Sequence, residues 1–196
     1  MSEPIALAKG DALIVADVQI DFLPGGQLGV RRGDEVIGPV NGYLERFQAR
    51  GLPIFLTRDW HPPNHCSFST RGGLWAPHCV AGSEGAAFSP DLAIPPDVTI
   101  VSKATNPEKE AYSAFDGTGL AQMLRERKVE RVYIGGLATD YCVLETVKDA
   151  IAKGFKAFVL QDAIRAIDVH GDDGARAEAE MFRLGAKPVT LDAIVT

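Results

Sequence analysis

The chain has 196 residues, of which 46% are hydrophobic and 23% charged, with a formal net charge of −6. That size and balance point to one globular domain spanning 1–196, and the acidic surplus argues against nucleic acid as a partner. No apolar run reaches the roughly 18 residues of a membrane span, and three cysteines, an odd number, argue against a disulfide framework.

The first strong signal is the apolar run Ala12–Asp17, which reads as a strand covered on both faces. Residues 33–50 carry Val36, Ile37, Val40, Leu44 and Phe47 at helical spacing, with Gly51 as the stop. Residues 53–57 give a second strand, 98–102 a third after Pro95-Pro96, and 119–127 a short helix. Residues 131–134 form a fourth strand. Thr139 then caps a helix that buries Val143, Val147, Ala150 and Ile151 and ends at Gly154. A fifth strand over 156–160, a helix over 172–184 and an edge strand over 188–191 complete the order. Strands alternating with helices predict an α/β fold, doubly wound around a mainly parallel six-stranded sheet with helices on both faces. An N-terminus without the basic flank and apolar stretch of a signal peptide fits a cytoplasmic protein.

One segment breaks the alternation. Residues 59–96 show no periodicity and hold six prolines, both tryptophans and three of the four histidines. A segment that long and irregular inside a compact domain is usually functional. In open α/β sheets ligands bind beyond the carboxyl ends of the strands, where Asp17, Asp59, Lys103 and, past a glycine turn, Cys142 all fall; Asp162 meets the same test. A cysteine at a helix start stands at the positive end of the helix dipole, which favours the thiolate. Asp17 suits the base that takes its proton, and Lys103 suits a cation that steadies both thiolate and developing anion. Asp17 and Lys103 as a purely structural ion pair is the competing reading.

Asp59-Trp60-His61 puts two ligand types on alternating positions past a strand. Imidazole nitrogens with one carboxylate suit zinc, iron or manganese and leave coordination positions open, as in a catalytic site. Cys66 and Cys79 directly follow His65 and His78, but the spacing fits no zinc-finger pattern. Pro24-Gly25-Gly26 reads as a turn rather than a phosphate loop, and His170 as a turn or cap residue.

These motifs, in this order, resemble the nicotinamidases among the isochorismatase-like cysteine hydrolases. Asp17-Val-Gln-Ile-Asp21-Phe22 with Pro24–Leu28 is similar to their opening motif, and Thr57–Pro62 with His65, Ser67 and Phe68 to their metal motif. Residues 74–80 resemble the segment bringing the third ligand, Lys103 with 112–115 the lysine segment, and 136–143 the nucleophile motif.

The resemblance implies a triad of Asp17, Lys103 and Cys142 and one divalent metal held by Asp59, His61 and His78. His65 and Ser67 would stand beside those ligands. It implies a cis peptide between Leu137 and Ala138, with the backbone N–H groups of Ala138 and Cys142 as oxyanion hole. Phe22, Leu28, Trp75, Tyr112, Leu137, Ala138 and Tyr141 would line the substrate pocket. The implied activity is metal-dependent hydrolysis of nicotinamide to nicotinate and ammonia through a Cys142 thioester, with pyrazinamide also accepted. The implied partner is thus a small amide rather than nucleic acid or membrane, and a homo-oligomer is compatible with it. The alternatives are a related hydrolase acting on a carbamoyl or vinyl-ether compound, or a non-catalytic binding protein on the same fold.

Overall fold

A computed structural model describes residues 4–195. Its centre is a six-stranded sheet in which every pairing is parallel. The strands are β2 (Asp11–Ala16), β3 (Ile54–Asp59), β4 (Thr99–Lys103), β5 (Arg131–Leu137), β6 (Lys156–Arg165) and β7 (Lys187–Val189), in spatial order β4-β3-β2-β5-β6-β7. A separate pair joins β1 (Ile5–Ala6) to β8 (Ile194–Val195). The chain winds outward from β2 to β4, then returns to the other side of β2 and winds outward again. The order therefore reverses between β2 and β5, and the crevice for a ligand opens at their carboxyl ends.

Alternation along the strands explains the layers. Leu13 and Val15 of β2 point to one face, where they join Val40, Tyr43, Leu44 and Phe47 of α1 (Ile37–Ala49). Those four helical positions are fully buried, and each such side chain contributes roughly 1.5–3 kcal/mol. Ala12, Ile14 and Ala16 point to the other face. There they meet Leu120 and Leu124 of α2 (Leu120–Glu126), Val147 and Ala150 of α3 (Leu144–Ala152), and Met181 of α4 (Asp173–Arg183).

Three expectations change. Strand β6 runs on to Arg165, with a register shift against β5 between Ile134 and Gly136. Asp162 consequently lies inside a strand rather than at its end. Its carboxylate accepts from the Tyr43 hydroxyl at 2.9 Å and the Leu191 N–H at 2.8 Å, a tie between α1 and the C-terminal segment. Thr139 makes no capping hydrogen bond; it opens a π-helical turn, Thr139–Val143, which precedes α3. Between β3 and β4 the only helix among the described residues is one 3-10 turn, Ser69–Arg71. No described helix is long and apolar enough to cross a membrane.

Candidate active site and metal centre

Three strand ends converge. Asp17 follows β2 in a left-handed conformation, φ 48°. Its N–H donates to the Thr57 carbonyl at 3.2 Å, and the Thr57 hydroxyl donates to Asp17 Oδ1 at 2.7 Å. Asp59 ends β3 and faces Lys103, the end of β4, across the ladder. The Lys103 ammonium lies 2.5 Å from Asp59 Oδ1, 3.0 Å from Asp17 Oδ2 and 3.5 Å from Cys142 Sγ, and donates to the Ala111 carbonyl at 3.3 Å. All four side chains are buried.

The turn leading into Cys142 depends on glycine at 136. Its φ is +113°, and a Cβ there would stand 2.0 Å from the Ala16 carbonyl oxygen of the neighbouring strand. The Leu137–Ala138 peptide is cis. The Val143 N–H then reaches back five residues to the Ala138 carbonyl at 3.1 Å, closing the π turn that carries Cys142.

Burial and charge decide the protonation states. Burial would lower Lys103, but Asp17 and Asp59 outweigh it and keep the ammonium charged. Burial raises Asp17 above the usual carboxylate range, with Lys103 opposing. Burial also pushes the Cys142 thiol well above its ordinary value; Lys103 pulls it down, and the two carboxylates push it further up. A helix start favours the thiolate, and burial acts the other way here. Desolvation and two flanking carboxylates outweigh the turn and the single cation, so Cys142 rests as a thiol. Asp17 Oδ2 touches Lys103 without an aligned hydrogen bond. That leaves a lone pair for the thiol proton, and an Asp17 carboxylate oxygen and the Cys142 sulfur lie within 4.8 Å of each other.

The candidate metal ligands sit beside this group. The His61 N–H bonds to the Cys79 carbonyl at 3.0 Å and the Ala81 N–H to the His61 carbonyl at 2.8 Å, so two loop segments pair as a short parallel bridge. Asp59, His61 and His78 each present one ligand atom within 4.8 Å of the others. His61 Nδ1 donates to the His78 carbonyl at 3.0 Å, and His78 Nδ1 donates to the Ala76 carbonyl at 2.7 Å. A carbonyl only accepts, so both protons sit on Nδ1 and both Nε2 lone pairs are free to ligate. Burial, aided by His78, pushes His61 down to about 3, which leaves the imidazole neutral. Two imidazole nitrogens and a carboxylate fit a divalent transition metal.

His65 is occupied differently. Its Nε2 donates to the Lys109 carbonyl at 3.1 Å, and its Nδ1 accepts from the Ser67 hydroxyl at 2.7 Å. Both residues thus brace the ligand cluster. Glu110, which sequence reasoning passed over, forms a further possible ligand group with His61 and His65. Cys66 and Cys79 are free thiols. His170 is exposed, and its N–H bonds to the Asp173 carboxylate at 2.8 Å at the start of α4.

One cavity joins the two halves. Asp59, His78 and Cys142 line it together with Phe22, Leu28 and Ala138. Trp75, Tyr112 and Tyr141 form its aromatic wall: the Trp75 indole donates to the Tyr112 hydroxyl at 3.0 Å, and the Tyr141 ring meets Trp75 edge-on at 5.1 Å. Leu137 is not among the lining residues; its side chain is fully buried in the α1-face core. Ile167 completes the lining instead. The Asp140 carboxylate accepts the N–H groups of Ile167 and Asp168 at 3.0 and 2.9 Å. Asp140 in the nucleophile motif was the available signal for that contact.

The isochorismatase domain model matches residues 11–193, nearly all of the described chain. The chain belongs to the isochorismatase family. Among curated relatives of this family, nicotinamidase from Escherichia coli (strain K12) is 36% identical over 201 residues, covering 92% of this chain and 94% of that protein. Among solved isochorismatase-family structures, a pyrazinamidase of Pyrococcus horikoshii in complex with zinc is 50% identical with a TM-score of 0.89, covering 92% of this chain and 99% of that one. PnC1 from L. infantum in complex with nicotinate is 36% identical with a TM-score of 0.91, covering 98% of both chains.

Proposed function

We propose that this chain is a nicotinamidase, a metal-dependent cysteine amidohydrolase that converts nicotinamide and water to nicotinate and ammonia. The observation that carries the reading is the shared cavity: the Cys142 thiol, the Asp59 and His78 members of the Asp59–His61–His78 ligand group and an aromatic wall border one space. Aromatic walls suit a flat heteroaromatic amide. The relatives named above, one holding zinc and one holding nicotinate, support the same substrate class.

The chain's own groups divide the work as follows. Asp17 Oδ2 takes the proton of Cys142, and the sulfur attacks the amide carbon. The N–H groups of Ala138 and Cys142 receive the developing oxyanion, and Lys103 offsets the negative charge gathering among Asp17, Asp59 and sulfur. Asp17 then protonates the amide nitrogen, the C–N bond breaks, ammonia leaves and the acyl group stays on sulfur as a thioester. Asp17 next takes a proton from water, whose oxygen attacks the thioester. The C–S bond breaks and the proton returns to sulfur. Asp59, His61 and His78 would hold zinc, iron or manganese, which supplies a Lewis acid for the pyridine nitrogen and so orients the ring. Trp75, Tyr112 and Tyr141 exclude water from the ring faces.

Metal removal tests this division. Nicotinamide turnover should fall at least about 100-fold after exhaustive chelation and return with one equivalent of zinc. Alkylation of Cys142 should persist in the chelated protein. Unchanged turnover after verified metal loss contradicts the assignment.

A further inference from the structure

Gln19 is fully buried and takes no part in the chemistry above. Its side-chain amide nevertheless makes three hydrogen bonds, and two of them go to one residue. Oε1 accepts the Asp59 N–H at 2.8 Å, while Nε2 donates to the Asp59 carbonyl at 2.9 Å and to the Ala86 carbonyl at 2.9 Å. An amide is suited to this clamp because it offers an acceptor and two donors in one plane. The two ends are mutually consistent: reversing the amide would face Nε2 with an N–H and Oε1 with two carbonyls. The bonds span 40 and 67 residues of sequence, so the clamp joins the turn after β2 to the end of β3 and to the loop beyond His78.

Asp59 is also held by its ladder partner Lys103, whose ammonium meets its carboxylate at 2.5 Å. It is the last residue of β3, and its carboxylate must serve the Lys103 ammonium on one side and the ligand cluster on the other. The backbone on either side of its Cα therefore sets which way the carboxylate points. Two residues further on, Asp21 makes a parallel contact: its Oδ2 accepts the Cys79 N–H at 2.7 Å, next to His78.

We propose that Gln19 is a positioning residue for metal binding, fixing the Asp59 backbone so that its carboxylate meets His61 and His78 in a ligating arrangement. The proposal rests on the reading of Asp59 as a metal ligand. Residues that orient ligands in this way typically alter metal affinity by about 10–100-fold when removed.

Zinc titration of the metal-free full-length protein tests it, with Gln19→Ala, Gln19→Glu, Asp59→Ala and Thr146→Val compared with wild type. Thr146 is the control: it is fully buried and its hydroxyl accepts the Ala114 N–H at 2.9 Å, far from the ligands in role. Gln19→Ala should weaken zinc binding about 10–100-fold. Gln19→Glu keeps an acceptor for the Asp59 N–H but loses both donors, and should also weaken it. Thr146→Val should bind zinc within about twofold of wild type, whatever its melting temperature, because a structural loss alone leaves affinity intact. The proposal is overturned if Gln19→Ala and Gln19→Glu bind zinc like wild type while Asp59→Ala loses it. If Asp59→Ala also binds like wild type, the ligand reading itself fails.

Discussion

Cys142→Ala should lose at least about 10⁴-fold in nicotinamide turnover while binding zinc as tightly as wild type. The sulfur lines the cavity within reach of Asp17 and 3.5 Å from the Lys103 ammonium, placed to attack an amide carbon. Removing it deletes the acyl intermediate and leaves only the binding and oxyanion-stabilising groups. The ligand set shares no atom with Cys142, so metal content should not follow activity. Stopped assays for nicotinate, with metal analysis on the same sample, check both halves. Turnover within tenfold of wild type contradicts the nucleophile assignment.

Asp17→Asn should cost about 10²–10⁴-fold, the range for a lost general acid–base. The substitution is nearly isosteric, and its amide oxygen can still accept the Thr57 hydroxyl. What disappears is the basic oxygen beside the thiol. The pH dependence separates this from a folding defect. Burial raises Asp17 in the wild type, so kcat/KM should fall as pH drops through a value above the ordinary carboxylate pKa of about 4. Below that value Asp17 is protonated and cannot take the thiol proton; above it the base is available. The Asn variant should lack this acid limb, and its residual rate should climb with pH as hydroxide ionises the thiol. A variant that keeps the wild-type acid limb places the base elsewhere.

The sheet was readable because its strands carry apolar runs, and three of them lead to a polar residue at the carboxyl end. Residues 12–16 stop at Asp17, β3 ends at Asp59 and β4 at Lys103. Parallel strands align these ends, so a pattern of burial also located the reacting groups. The two-residue strands β1 and β8 carry no periodicity and were missed. The extension of β6 through Gln161 and Asp162 was missed because both residues are polar, and their places in the strand follow from tertiary pairing.

The site was legible in residue type and less so in physical state. Cys142 with Asp17 as its base was legible from the strand ends, whereas the burial and the second carboxylate that raise its thiol follow from tertiary packing. Leu137 belongs by motif to the pocket and by packing to the core, because the turn aims its side chain at the α1 face. Ile167 is 25 residues from Cys142 in number and reaches the cavity only through the Asp140 bonds to its loop. Gln19 left no sign of its partners, since it acts on the backbone of a residue 40 positions away. Sequence spacing reports faces of single elements and says little about side chains that tie one backbone to another.

The account turns on what the shared cavity hydrolyses. Zinc-loaded wild-type protein should be incubated with nicotinamide and, in parallel, with an N-carbamoyl amine, and nicotinate and ammonia should both be measured. The account predicts nicotinate and ammonia in equal amounts from nicotinamide, with far slower ammonia release from the carbamoyl compound. Ammonia from the carbamoyl compound with none from nicotinamide, on protein whose metal content is verified, would contradict it.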